Sequence, residues 1–256
     1  EDYKKLFDSK IISSNHFNLN QLQPSSIDLT LSDECYEIKS SFLSPNDNIR
    51  NKLNSFIKKK INLKHGYTLK KNITYLINLN EKLKLPKKIF GKCNPKSSTG
   101  RLDIFCRTIF DYCNEYEKIP FEYSGEIFLE VTSRAFNIKL KQGDSLNQMR
   151  LVKGKNIILD DNQLHNYHIK HPIIFNSSNK PIVPKVSNGL KISVDLKSNN
   201  SIVAYKAKER APVLIFNQTK THRVNDFWEP LTNKNNSLMI DPGKFYILKS
   251  KEKIKI

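Results

Sequence analysis

From Ile27 onward the chain runs in short stretches where apolar and polar residues alternate, and this alternation restricts it to a fold built mostly of strands. Ile27, Leu29 and Leu31 alternate with polar neighbours, as do Tyr36 and Ile38, then Tyr75, Ile77 and Leu79. Residues 102–110 (LDIFCRTIF) and 125–131 (GEIFLEV) are further strand candidates, and Phe136, Ile138 and Leu140 lead into a turn at Gln142-Gly143-Asp144. Successive strand side chains point to opposite faces, so a period of two buries one face of each segment. Many short strands at close spacing predict an all-β barrel or sandwich. Helical spacing is confined to residues 3–12, where Leu6, Phe7 and Ile11 share a face, and to a short stretch near 160–168.

The second half echoes the first. YLINLNEKLKL (75–85) and YILKSKEKIKI (246–256) share Tyr, Glu and two Lys and exchange Leu for Ile at four further positions. SIDLTL (26–31) and SVDLKS (193–198) repeat at nearly the same offset, with Asp28 matched to Asp195. Two echoes at one offset predict a tandem duplication; chance likeness between amphipathic strands is the alternative. Residues 154–188 are rich in Asn, His, Pro and Lys, and strand-like alternation resumes at Leu190, Ile192 and Val194. The expected division is therefore 1–155 as one module, 156–188 as a connector and 189–256 as an incomplete second module. The first echo leads into Pro86 and NPKSSTGR, whereas the second stops at that point. By analogy with the first repeat, a further portion on the order of a hundred residues is expected.

Composition narrows the class. A chain of 256 residues with 38% hydrophobic and 10% aromatic content is a folded globular protein. It has no run of about 18 apolar residues, so no membrane partner is expected, and no charged-then-apolar leader opens it. The formal charge of +18 would suit a polyanion. Lys far outnumbers Arg, however, and the lysines at 58–60 and 87–88 sit in polar surroundings. No arginine-rich or aromatic-interleaved tract marks a nucleic-acid surface, so none is expected as a partner. Cys35, Cys93, Cys106 and Cys113 form no C-x-x-C pair, which predicts a reduced, cytoplasmic protein.

Two segments carry chemistry. Lys96-Ser97-Ser98-Thr99-Gly100-Arg101 gathers hydroxyls, a glycine and two cations, groups suited to phosphate oxygens, though by composition alone such a stretch is more often a generic polar turn than an anion site. It lacks the spacing of a P-loop. In Ser124–Glu130, Phe128 and Glu130 share a strand face. A carboxylate beside Phe on a core-directed face would be desolvated and could shuttle protons; on an outer face it would be merely solvated.

QPSSIDLTL (23–31), NPKSSTGRLDIF (94–105) and YSGEIFLEV (123–131) together resemble three successive motifs of dCTP deaminase, in the dCTP deaminase/dUTPase superfamily. GDSLNQMRL (143–151), GLKISVDL (189–196), DFWEP (226–230) and DPGKFYIL (241–248) are similar to its long, tandem-domain bacterial form. The resemblance implies a distorted jelly-roll-like β-barrel of the dUTPase type, tandemly duplicated, that forms a homo-oligomer with trimeric barrels and sites shared between subunits. It implies hydrolysis of dCTP to dUTP and ammonia, supplying dUTP for thymidylate synthesis. Glu130 matches the general base that activates water for attack on C4. Ser97 matches a residue that positions water and phosphate, and Arg101 an arginine near the reacting base. Lys96, where the family often has Arg, would meet phosphate, with Ser98, Thr99 and Gly100 completing the loop. Phe128 and Leu129 would border the pyrimidine through backbone groups, and Gln148 would lie near a triphosphate carrying Mg2+.

Zinc deaminases need H-x-E with P-C-x-x-C, which this chain lacks, so no zinc and no protein-held metal is expected. His165 and His168 could share a helical face but have no third ligand near in sequence, and a surface position is expected for both. The dUTPase motif I-D-x-D-Y-x-G reads Ile119-Pro120-Phe121-Glu122-Tyr123-Ser124-Gly125 here. Pro120 replaces the Asp that activates water against phosphate, which weighs against a dUTP diphosphatase or a bifunctional enzyme. It also leaves only Asp111 and Glu122 as nearby candidates to fix the sugar. A nucleotide-binding regulator without turnover is the remaining alternative.

Overall fold

The computed structural model describes residues 2–154, 158–197, 202–218, 221–233 and 236–255. The chain opens with helix α1 (Asp2–Asp8) and a short strand β1 (Ile12–Ser13). Strands β2 (Ile27–Leu29) and β3 (Leu31–Ile38) are followed by helix α2 (Ile49–Leu53), then β4 (Ile57–Asn62), β5 (Tyr67–Leu69), β6 (Thr74–Lys84) and β7 (Ile89–Pro95). A single helical turn, α3 (Ser97–Gly100), leads to β8 (Ile104–Ile109), β9 (Lys118–Ile119), β10 (Ser124–Ser133), β11 (Ile138–Leu140) and β12 (Asn147–Lys153). The later elements are α4 (Asp161–Lys170), β13 (Ile174–Phe175), β14 (Ile202–Ala207), β15 (Leu214–Ile215), α5 (Val224–Phe227), β16 (Trp228–Thr232), β17 (Tyr246–Leu248) and β18 (Lys253–Ile254).

The fold is mainly β, as the alternation predicts. Among the described residues the strands form open sheets, and none closes into a barrel. No helix is long and apolar enough to cross a membrane. The N-terminal helix is shorter than its sequence spacing suggests. Lys10 takes a left-handed conformation (φ 57°), and the amides of Lys10 and Ile11 turn back to the carbonyls of Phe7 and Leu6, a Schellman-type stop.

Contacts divide the chain into two compact units, Glu1–Lys155 with Glu209–Asp226, and Asn156–Lys208 with Phe227–Ile256. The boundary expected at 155/156 lies outside the described residues. In the first unit a sheet of order β4-β3-β6-β10-β8 has β1 paired to β6, and a second has order β2-β12-β7-β9. Residues 209–226 join this unit because β15 adds to β11 in parallel, Ile138 facing Leu214, while β5 pairs with the other edge of β11. Gly91 of β7 has no room for a side chain: a Cβ there would lie 2.6 Å from the Arg150 carbonyl oxygen of β12.

The larger sheet is covered on both faces. On one, Ile38, Leu76, Ile109 and Phe128 pack with Phe42 and with Ile49 and Leu53 of α2. On the other, β8 looks toward the second sheet: the Cys106 thiol donates to the Leu146 carbonyl, and Asn147 of β12 and Thr108 of β8 both reach Glu117. Burying both faces removes a large apolar area from water, at about 25 cal/mol per Å2.

In the second unit β14 lies between β16 and β17, and β13 pairs with β18. The capping box expected of a stable helix start is present in α4, where Asp160 and Gln163 cap each other's backbone amides. The strand anticipated at Leu190–Val194 does not form. Val186 and Leu190 make one isolated bridge, Val194 and Ser250 another, and Ile192 and Val194 are each 48% exposed. The Asp195 amide donates to the Lys249 carbonyl and the Lys251 amide to the Ser193 carbonyl, but this pairing stops at one bridge and does not extend into a ladder.

Candidate active site

The Lys96–Ser98 stretch lies where β7 turns into α3. Its backbone is fixed from below: the Lys96 amide donates to the Leu146 carbonyl at 3.0 Å, and the buried Thr99 hydroxyl donates to the same oxygen at 2.8 Å. Lys96 is ion-paired with Asp28 of β2. Strand register explains the meeting, because β12 runs between β2 and β7 and sets Gln148 opposite both Asp28 and Asn94.

Two clefts open around this pair. One, of about 430 Å3, is lined by Gln23–Ser26, Asp28, Lys96, Ser97, Ser98 and Gln148. The other, of about 520 Å3, carries His16, Gln21, Lys96, Ser98, Phe216 and Asn217 on its walls. Ser26 donates to the Gln148 side-chain oxygen at 3.0 Å. Asp28 is 6% exposed, and its Oδ1 is buried without a hydrogen-bond partner. The sequence-derived Lys96, Ser97, Ser98 and Gln148 thus converge on one cleft. Thr99 faces inward as an anchor, while Gly100 and Arg101 are exposed and line neither cleft.

Glu130 lies elsewhere. It pairs in register with Arg107 of β8 and Leu76 of β6, so all three share the sheet face covered by α2. Its side chain is 2% exposed. Arg107 Nε donates to Glu130 Oε1 at 2.9 Å, and Oε2 is buried without a partner. The α3 loop sits on the opposite face of β8, since Thr99 and Cys106 meet at the Leu146 carbonyl and Cys106 alternates with Arg107. One chain therefore does not bring Glu130 and the Lys96 cleft together. Phe128 belongs to the core on the Glu130 face, Leu129 is fully buried on the other, and β10 is laddered on both edges. Their backbones are occupied by neighbouring strands rather than turned to a cleft.

Matches over both halves decide the family. The family model described as the 2'-deoxycytidine 5'-triphosphate deaminase N-terminal domain matches residues 1–155, and the model for the C-terminal domain of the same enzyme matches residues 160–256. The chain belongs to the dCTP deaminase family. The crystal structure of 2'-deoxycytidine 5'-triphosphate deaminase from Agrobacterium tumefaciens is similar over 99% of this chain and 76% of that one, with a TM-score of 0.91 and 33% identity. No curated protein sequence matches.

Within this dCTP deaminase family member, several groups at or near the candidate site escaped sequence reasoning. Arg107 carries no motif, and only cross-strand register brings it to Glu130. Phe216 and Asn217 come from the far end of the sequence; the Asn217 side chain donates to Asp144, and the Phe216 amide donates to Lys139. Glu117 is a half-buried carboxylate between the sheets that accepts from the Thr108 amide at 3.0 Å and from Asn147 Nδ2 at 3.2 Å. Burial pushes its carboxyl up to about 7 despite those hydrogen bonds. Burial likewise pushes the Cys106 thiol up to about 12 and raises Cys93, and all four cysteines are buried and free. Asp111, a candidate for the sugar, accepts from the Ile49 amide at the start of α2 at 2.7 Å and so is used in holding that helix. His165 is exposed as expected, but His168 is buried, its Nδ1 accepting from the Ile173 amide at 3.2 Å. The turn after α4 draws that ring inward.

Proposed function

We propose that this chain deaminates dCTP to dUTP and ammonia by zinc-independent hydrolysis, with Glu130 as general base. The observation that carries the reading is the Glu130 carboxylate, buried, paired through one oxygen and free at the other. The free oxygen takes a proton from water as the water oxygen bonds to C4 of cytosine. The tetrahedral carbon then loses its amino group as Glu130 returns the proton to that nitrogen, so ammonia leaves, and the remaining hydroxyl proton passes to N3 as C4 keeps the oxygen as a carbonyl. Lys96, Ser97, Ser98 and Gln148 bind the triphosphate in the cleft. Family membership and the lack of an H-x-E with P-C-x-x-C set support water activation without zinc. Among the described residues no three His, Cys, Asp or Glu side chains converge on a common point.

Mg2+ fits as the companion of the triphosphate. It is usually held through one or two carboxylates plus phosphates. Asp28, with a buried unpartnered oxygen beside the phosphate-binding lysine, is the residue that would hold it. The ion supplies neutralisation of phosphate charge.

The separation of Glu130 from the cleft by β8 supports a homo-oligomer in which a site draws on more than one subunit. The arrangement we favour is trimeric, with residues 1–155 forming distorted jelly-roll-like modules of the dUTPase type. Residues 156–188 would act as connector and 189–256 as the duplicate module. Exposed Arg101 is available to a neighbouring copy's site. Four free, buried cysteines support a reducing, cytoplasmic setting.

The full protein with dCTP and Mg2+ tests the reading. Glu130→Gln is expected to lower ammonia release by about 10²–10⁴-fold while keeping dCTP binding. Wild-type turnover by the variant would sink Glu130 as base, and pyrophosphate release from dUTP would point to a diphosphatase instead. Mixing Glu130→Gln with Lys96→Ala chains should restore activity if subunits share sites; two inactive variants that stay inactive together would remove that arrangement.

A further inference from the structure

The base needs one carboxylate oxygen fixed and the other open, and the residue that achieves this is Arg107. Arg107 and Glu130 are direct cross-strand partners on β8 and β10, with Nε to Oε1 at 2.9 Å. The guanidinium centre sits 3.5 Å from the centroid of the Tyr116 ring and 5.1 Å from that of Phe105. Tyr116 itself packs against the Leu76–Ile109–Phe128 cluster. Stacking on a ring that is itself packed fixes the plane of the guanidinium, which a flexible ammonium would not do. A planar fork often binds a carboxylate through both oxygens. Here a single donor takes Oε1, and Oε2 stays buried and unpartnered.

We propose that Arg107 is a positioning residue for the deamination, holding Glu130 oriented so that Oε2 alone faces the attacking water. The proposal rests on Glu130 being the base. A carboxylate with 2% of its side chain exposed is unfavourable as an ion unless a cation accompanies it. The Arg107 contact supplies that cation without using the oxygen that must accept the proton. Tyr116 is the brace: burial raises its hydroxyl, and the Glu130 charge raises it further, so it stays neutral beneath the guanidinium.

Steady-state kinetics on the full protein with dCTP and Mg2+ test this. Arg107→Lys, which keeps the charge in the buried pair, should lower kcat about tenfold, and Arg107→Met about 10³-fold, with KM within about twofold of wild type. Guanidinium added to Arg107→Ala should restore at least about tenfold of the lost kcat and do nothing for Glu130→Gln. Wild-type kcat in Arg107→Lys overturns the proposal, and so does a loss that appears in KM alone or that guanidinium leaves unchanged. Arg107→Lys decides the matter even if Arg107→Met fails to fold. If Glu130→Gln is inactive while the Arg107 variants are fully active, only the positioning role falls; if Glu130→Gln turns over normally, the base assignment itself falls.

Discussion

Residues 75–85 and 246–256 carry nearly the same pattern and fold differently. In the first, β6 runs unbroken from Thr74 to Lys84, pairs with β3 on one side and β10 on the other, and buries Tyr75, Leu76, Ile77, Leu79 and Leu83. In the second, the matching residues form β17 and β18 as separate short strands. Tyr246, Ile247 and Leu248 are half-buried, and Ile254 is 43% exposed. Alternation fixes which side chains can share a face; ladders on both edges and a second layer decide whether that face is buried. The matched glutamates show the same contrast. Glu81 is fully buried and accepts from the Thr30 amide, the Thr30 hydroxyl and Gln21 Nε2, at 2.7–2.9 Å. Glu252 is only partly covered and accepts a single hydrogen bond from another residue, the Ser193 amide at 2.8 Å.

If neighbours rather than pattern make the difference, matched substitutions must have unequal effects. The largest is expected at the glutamates. Glu81→Ala leaves the Thr30 amide and hydroxyl buried without their acceptor and takes one of the two acceptors of Gln21 Nε2, and each orphaned group costs roughly 1–3 kcal/mol, plus the cavity. Glu252→Ala should barely move the denaturation midpoint. Next come the apolar partners: Leu76→Ala should cost about 2–5 kcal/mol by chemical denaturation, and Ile247→Ala less than about half of that, because Leu76 is fully buried and Ile247 is not. Equal losses at either pair would mean that the second segment is as well packed as the first, which would break the comparison.

The same distinction explains what could be read from the sequence. The strands containing Ile27–Leu31, Tyr75–Leu79, Ile104–Ile109 and Gly125–Val131 were legible because each has a face to bury and a partner to pair with. The meeting of Lys96, Ser97, Ser98 and Gln148 was legible through family motifs. Arg107 was not, because its place opposite Glu130 depends on the register of two strands far apart in sequence. The return of residues 209–226 to β11 was hidden for the same reason: a two-residue parallel pairing leaves no periodic mark. The failure of Leu190–Val194 to form a strand is the converse, a pattern whose neighbour meets it at a single bridge only.

The smallest effect expected is in pH dependence, and its sign separates acids raised by burial from acids lowered by a partner, such as Glu34 and Glu126 beside Arg50 in the first unit. In the first unit burial raises the carboxyls of Glu81, Glu117, Asp103 and Asp144. Glu117 is moved from 4.5 to about 7, so the folded state holds its proton more tightly than the unfolded chain does. That burden is absent below the unfolded value, grows as pH rises from about 4.5 to about 7, and amounts to at most about 3 kcal/mol above it. Glu117→Gln should flatten the fall in melting temperature across this window and raise stability at pH 8, provided Gln keeps the acceptor toward the Thr108 amide. In the second unit Lys206 lowers Asp241, and the Ser193 amide lowers Glu252. These groups contribute above the unfolded value and lose their contribution as pH falls, so Lys206→Met should slightly weaken the protein at neutral pH and change nothing below the folded value of Asp241. A Glu117→Gln variant whose melting temperature still declines from pH 4.5 to 7 as in wild type would show that Glu117 is not the titrating group, and the contrast between a buried and a solvated set of acids would then have to rest on Glu81 and Asp144.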